Sequence, residues 1–442
     1  MVRPRDQGLS RRAFVKAAVA IGGASALSAC LTRESGPDTP TDASDLPTGV
    51  PDPSSLPRRQ HAWNDALPRD DHGNHVPPSH RVLLYLDYAG EGTPDDADRE
   101  TLEAALGSLE RAYPRTVEGS DTRSSGLFVT ISYSPSYFDR FDADLPDSVD
   151  LPEPSALTPF EDPALDTPDA LIHLASDYGS VVLGAEEALR GEQGTLNGVD
   201  VSATLDGVVE RVDRRTGFIG DGLPADHQDV EGIPDSEPVP GDSPLYMGFE
   251  SGMEKAQAGE DAVTIPEGPF AGGTTQQVSK IDLHLDQWYE QDSRSHRVAS
   301  MFCPAHAEEG RVEGTGENLG NTNGVVESGC PAHATEDARQ EGVVGHAQKA
   351  ARAREDGDPL LLRRDFDSTD GGQAGVHFLS LQRGIEDFVV TRTAMTGSDL
   401  AREGAVGRQS NNGILRYMTV RRRGNFLLPP REHRAFPTPE PS

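Results

Sequence analysis

The order of hydrophobic patterns between Arg81 and Val212 constrains the fold more than any other feature. Val82-Leu83-Leu84-Tyr85-Leu86-Asp87-Tyr88 is a nearly unbroken apolar run, which predicts a buried strand. Thr93-Pro94 then opens a helix to about Tyr113, with Leu102, Leu106 and Leu109 at helical spacing. Leu127 to Tyr133 reads as a second strand. A proline-rich crossing leads to a third, Ala170 to Ala175. The helix Ser180–Leu189 and the alternating strand Val199–Val212 complete the series. The order β-α-β-β-α-β is the ferredoxin-like unit.

The second half repeats the pattern less cleanly. Leu245–Phe249 and Val278–Trp288 read as strands, the latter alternating through Ile281, Leu283 and Leu285. Residues 292–301 predict a helix, Gly375–Leu381 a strand, Gly384–Met395 a helix and Tyr417–Leu428 a closing strand. The Gly- and acid-rich stretch 303–374 is too long for a simple loop and reads as an insertion. The expected fold class is α+β, two ferredoxin-like halves spanning 81–215 and 216–435.

Charge bears on solvent and partners. The chain of 442 residues holds 40 basic and 73 acidic side chains, a formal charge of −33, and its lysines are Lys16, Lys255, Lys280 and Lys349 alone. Such a surface repels phosphate backbones, so nucleic-acid binding is not expected. Molar salt shortens the screening length to about 3 Å and relieves the self-repulsion. Abundant Asp and Glu with almost no Lys is the composition expected of a protein folded in strong brine.

The N-terminus reads as an address. Ser10-Arg11-Arg12-Ala13-Phe14-Val15-Lys16 has the pattern of a twin-arginine export signal, and Leu27-Ser28-Ala29-Cys30 that of a lipobox with Cys30 as the acylated residue. The weakly apolar run Ala17 to Ala29 falls short of the roughly 20 residues that span a bilayer. Residues 1–29 are therefore expected to be a signal peptide. Residues 30–80, rich in Pro, Asp, Ser and Thr, are expected to be a disordered acidic tether in which His61, His72, His75 and His80 are surface histidines. The expected location is the outer face of the cytoplasmic membrane, held by the lipid anchor only.

Three segments can carry chemistry. Gly217-Phe218-Ile219-Gly220-Asp221-Gly222 is a Gly-rich turn presenting one carboxylate. His346, in a short helix, is followed by Leu361-Leu362-Arg363-Arg364-Asp365; a histidine and an arginine in such an order suit a haem pocket, one binding iron and the other stabilising charge. The tetrapeptide Cys-Pro-Ala-His occurs at Cys303–His306 and again at Cys330–His333. Its two thiols and two imidazoles make either a tetrahedral site for zinc or copper or, through Cys303 and Cys330, a disulfide.

Together these segments resemble the dye-decolorizing peroxidases over roughly 81–430. The resemblance rests on Leu127 to Phe138, the strand and helix after Asp169, and the turn 217–222. It continues through 346–354, the arginines near 363, the strand Gly375–Leu381 and the ending Gly424-Asn425-Phe426-Leu427-Leu428-Pro429-Pro430. It implies the dimeric α/β-barrel type of fold, with haem b in the second half. By the same resemblance His346 is the proximal iron ligand, Asp221 the distal carboxylate and Arg363 the distal guanidinium, with Arg364 in its place if the register slips by one. The implied activity is reduction of hydrogen peroxide at the expense of an organic or metal donor. The turn at Asp221 carries one residue more than the family signature, and Asp365 stands where the family has Gly. The alternative expectation is a non-enzymatic surface lipoprotein of this fold that binds a metal or haem.

Overall fold

The computed structural model describes residues 46–116 and 126–441. The export signal and Cys30 lie outside the described residues. The first half contains β1 (His80–Tyr88), α1 (Asp96–Ala112), β2 (Phe128–Tyr133), β3 (Ala170–Ser176), α2 (Gly179–Leu189) and β4 (Val209–Phe218). β1 pairs antiparallel with β3 and β4, and β2 with β3, giving the spatial order β4-β1-β3-β2. This is the expected ferredoxin-like sheet.

The unbroken apolar run of β1 follows from burial on both faces. Val82, Leu84 and Leu86 pack with Leu102, Leu106 and Leu109 of α1 and with Val181 and Val182 of α2. Leu83 and Tyr85, alternating with them, point the other way and meet Val278, Leu379 and Phe426 of the second half. The Asp95 side chain caps α1 by accepting from the Asp98 backbone, and Asp98 reciprocates.

The second half has β5 (Thr274–Leu283), β6 (Phe366–Ser368), β7 (Gly375–Gln382), α7 (Ile385–Thr396) and β8 (Met418–Leu428). The spatial order is β8-β5-β7-β6, the same arrangement as in the first half. In place of a single first helix stands the segment 284–365. It includes α3 (Arg294–Met301), α4 (Pro304–Glu308), α5 (Cys330–Gln340) and α6 (His346–Ala350). Two seams close the halves into one barrel: Tyr133 of β2 opposite Leu427 of β8, and Phe218 of β4 opposite Asp367 of β6. No helix among the described residues is long and apolar enough to cross a membrane.

Four expectations are corrected. Leu245–Phe249 forms turns, not a strand, with the Tyr246 backbone N–H given to the Asp367 carboxylate. Part of the stretch read as an insertion is the strand β6. The strand expected at Val199–Val212 is displaced to Val209–Phe218, after the turn at Gly207. Its polar stretch is satisfied by ion pairs: Arg214 with Glu186 at 2.8 Å and Arg215 with Asp166 at 2.7 Å. Residues 46–79 lie on the barrel and do not form a free tether. Trp63, His61 and His80 are buried, and the Gln60 side chain bonds both Ile131 and Pro429 backbones.

The seam between β4 and β6 needs glycine at 217. A Cβ there would lie 2.0 Å from the Asp367 carbonyl oxygen and 2.4 Å from the Phe366 ring. Gly217→Ala is therefore expected to destabilise the protein by about 3 kcal/mol, as steric overpacking does. Thermal unfolding in molar salt measures it, and a loss under about 0.5 kcal/mol would show that the seam can open without cost.

Candidate functional site

α6 begins at the residue the sequence singles out, His346. The preceding Gly345 lets the chain run against the Phe302 carbonyl oxygen, where a Cβ would approach to 1.7 Å. Lys349 on the same helix is buried and fully satisfied. Its ammonium donates to the Met395 carbonyl at 2.6 Å, the Asn412 carbonyl at 2.9 Å and Asn412 Oδ1 at 2.6 Å. The helix is thus tied to the end of α7 and to the Asn412 turn.

The His346 ring has no hydrogen-bond partner among the described residues. Burial first, then the charges of Lys349, Arg363 and Arg392, push its pKa down to about 3. The imidazole is neutral at ordinary pH, with a lone pair available to a metal or a proton.

Arg363 lies on a two-residue strand, Leu362–Arg363, paired to β7. Its Nη1 donates to Ser251 Oγ at 3.3 Å and stands 3.7 Å from the Asp365 carboxylate. Asp365 is thus a partner for this guanidinium, and burial raises its pKa. Arg364 is directed elsewhere. It donates to the His61 carbonyl at 2.6 Å, pairs with Glu260 at 2.9 Å and covers the Trp63 ring at 4.1 Å. Of the two arginines, Arg363 is the one whose charge reaches His346.

Asp221 sits in the turn after β4, between Gly220 and Gly222, whose φ angles of +133° and +80° suit glycine. Its side chain is exposed at the rim, and partial burial and Asp242 raise its pKa. Its charge reaches Glu250, a residue the sequence did not signal, since one Glu among many carries no pattern. Burial, and then Asp221, Asp70, Glu317 and Asp242, push Glu250 up to about 7. Glu250 adjoins Ser251, the partner of Arg363. The structure therefore links Arg363 to Ser251 and Asp365, brings its charge to bear on His346, and couples Asp221 with Glu250 in a separate acidic group.

The Cys-Pro-Ala-His pair resolves as a disulfide. Cys303 and Cys330 are bonded to each other. His306 Nδ1 stands 3.1 Å from Cys303 Sγ, and His306 Nε2 donates to the Asn323 carbonyl. His333 is exposed, near Glu336. The four-ligand zinc or copper site expected as one alternative is not formed, because the sulfurs are consumed and His333 points away. Closing this loop stabilises the fold by about 3.5 kcal/mol on the chain-entropy account.

The raised pKa of Glu250 sets a pH dependence. The folded chain keeps a proton that the unfolded chain releases near 4.5, so this group's contribution to stability falls as pH rises from 4.5 through about 7. Glu250→Gln is expected to flatten the decline in Tm between about pH 5 and about pH 8 and to raise Tm at the alkaline end. Equal slopes for variant and parent would show that Glu250 ionises normally.

No curated protein matches the chain by sequence. Its fold is similar to a dye-decolorizing protein from V. cholerae, 15% identical with a TM-score of 0.51, covering 84% of this chain and 97% of that one. It is also similar to the encapsulated DyP-type peroxidase from Mycobacterium smegmatis, 15% identical with a TM-score of 0.51, covering 85% and 100%. A DypB variant from Rhodococcus jostii RHA1 in complex with heme is 16% identical with a TM-score of 0.52, covering 83% and 97%. The barrel is thus the fold of the dye-decolorizing peroxidases. By sequence, residues 78–430 match the family of unknown function DUF7405, and the chain belongs to that family.

Proposed function

We propose that this chain is an exported haem-dependent peroxidase that reduces hydrogen peroxide with an organic or metal electron donor. The observation that carries the reading is His346: a neutral imidazole free of hydrogen bonds among the described residues, heading a well-tied helix and within the field of Arg363. The solved neighbour described in complex with heme supports the choice of group. The residues fit that group on the His346 side, where the imidazole would hold the iron of haem b. Bound haem would supply the redox centre through which two electrons from the donor, with two protons, convert peroxide to two waters.

The protein's own groups handle protons and charge. Asp221 or Glu250 takes a proton from peroxide, and a carboxylate pushed towards 7 is well matched to giving it back. Arg363 stabilises negative charge on the departing oxygen. Ser251 orients the guanidinium through its hydrogen bond. The twin-arginine segment and Cys30 support export and lipid anchoring, and the brine-adapted charge supports an external setting.

Two observations favour a second reading. Asp365 lies 3.7 Å from Arg363 and competes for its charge, and Asp221 is exposed. A chain so arranged would bind haem at the cell surface without turning peroxide over.

The protein from a haem-sufficient host, kept in molar salt, is expected to absorb strongly at about 400 nm. His346→Ala should abolish haem uptake. Asp221→Asn should keep the colour but slow the reaction with peroxide by about a hundredfold. A colourless protein that takes up no hemin sinks both readings. A coloured protein inert to peroxide establishes the second, and activity gained by Asp365→Asn would trace the inertness to a neutralised Arg363.

A further inference from the structure

α6 has only five residues, too few to be stable alone. What fixes His346 must come from its surroundings: Lys349 ties the helix to α7 and the Asn412 turn, and a second set of hydrogen bonds converges on Gln348. This side chain is fully buried. Its Oε1 accepts from the Gly345 backbone N–H at 2.9 Å. Its Nε2 donates to the Cys330 carbonyl at 2.8 Å and to the Asp337 carboxylate at 2.5 Å. The Gln348 backbone N–H donates to the Phe302 carbonyl at 3.2 Å. Two of these acceptors belong to residues at the disulfide: Cys330 is one half of it, and Phe302 precedes the other half, Cys303. His306 stiffens the same corner. Its ring lies parallel to Phe302 with centroids 5.8 Å apart, and its bond to Asn323 turns Nδ1 towards Cys303 Sγ.

We propose that Gln348, anchored by the Cys303–Cys330 disulfide, is the positioning residue for His346. The Cys-Pro-Ala-His repeat, unabsorbed by the function, then has a role. It builds a covalent corner against which the short helix is registered. The significance for catalysis rests on the reading of His346 as haem ligand, whereas the positioning itself rests on the hydrogen bonds alone. A glutamine suits the task because one planar amide offers both an acceptor to Gly345 and donors to Cys330 and Asp337.

The test measures amide hydrogen exchange in the haem-free full chain and then titrates hemin. Gln348→Ala and, separately, Cys303→Ser with Cys330→Ser should each speed exchange across 342–353 by at least about tenfold while leaving residues 80–88 unchanged. Both should weaken hemin binding by about tenfold or more. Gln348→Glu combined with Asp337→Asn keeps the bonds to Gly345 and to residue 337 but sets a carboxylate oxygen against the Cys330 carbonyl, so exchange should stay as fast as in Gln348→Ala; full recovery of protection would overturn the anchoring at the disulfide. Unchanged exchange across 342–353 in both variants would overturn the proposal, as would an equal rise across the whole barrel. If the parent protein binds no hemin, the ligand reading falls, and the exchange data still decide the positioning.

Discussion

The site depends on a barrel seam one residue pair wide. Phe218 meets Asp367 where the first ferredoxin-like half joins the second. Gly217 allows the two backbones to come that close. On one side of the seam the chain runs into the turn of Asp221; on the other it arrives from Arg363. The seam is braced by polar contacts: the Asp370 carboxylate accepts from the Thr216 backbone N–H and hydroxyl, both at 2.8 Å, and contacts His377 at 3.1 Å. The turn of Asp221 and the strand of Arg363 thus both lead off the same seam, although no contiguous motif joins them in the sequence.

The same chain that is short of lysine uses arginine as its internal cation. Arg215, Arg423 and Arg434 are buried, and each meets a buried carboxylate: Asp166, Glu161 and Glu110. A planar, delocalised guanidinium shares its charge among several acceptors and is less strongly hydrated than an ammonium, so it is the better buried partner. Arg434 carries the C-terminal segment back onto α1, and the Tyr133 hydroxyl donates to its carbonyl at 2.6 Å. Buried pairs of this kind are screened by salt far less than surface ones.

Much of the first half was legible because its strands are apolar runs and its helices show a clear apolar stripe. β1, β2, β3 and both helices begin and end within a few residues of expectation. β4 was misplaced because its outer part is charged, and the ion pairs that make it tolerable join residues far apart in sequence. β6 is three residues long, too short for any periodicity to appear. The pattern at Cys303 and Cys330 suits a metal site and a disulfide equally, and only the bond between the sulfurs separates the two.

The sequence by itself determined the ferredoxin-like order of elements, the acidic surface and the candidates His346, Arg363 and Asp221. The first two follow from local hydrophobicity and composition; residue chemistry singles out His346, the arginine pair and Asp221, and the resemblance to the dye-decolorizing peroxidases implies Arg363 within that pair. Tertiary structure alone decided that Arg364 turns to His61, Glu260 and Trp63 while Arg363 bonds Ser251 and adds its charge to the field at His346, successive residues of an extended chain pointing to opposite sides. It also decided that Asp365 competes for Arg363, that Asp221 lies at the rim and that Glu250 joins it. Those outcomes depend on which distant charges burial brings within a few ångströms, and no local pattern encodes that distance.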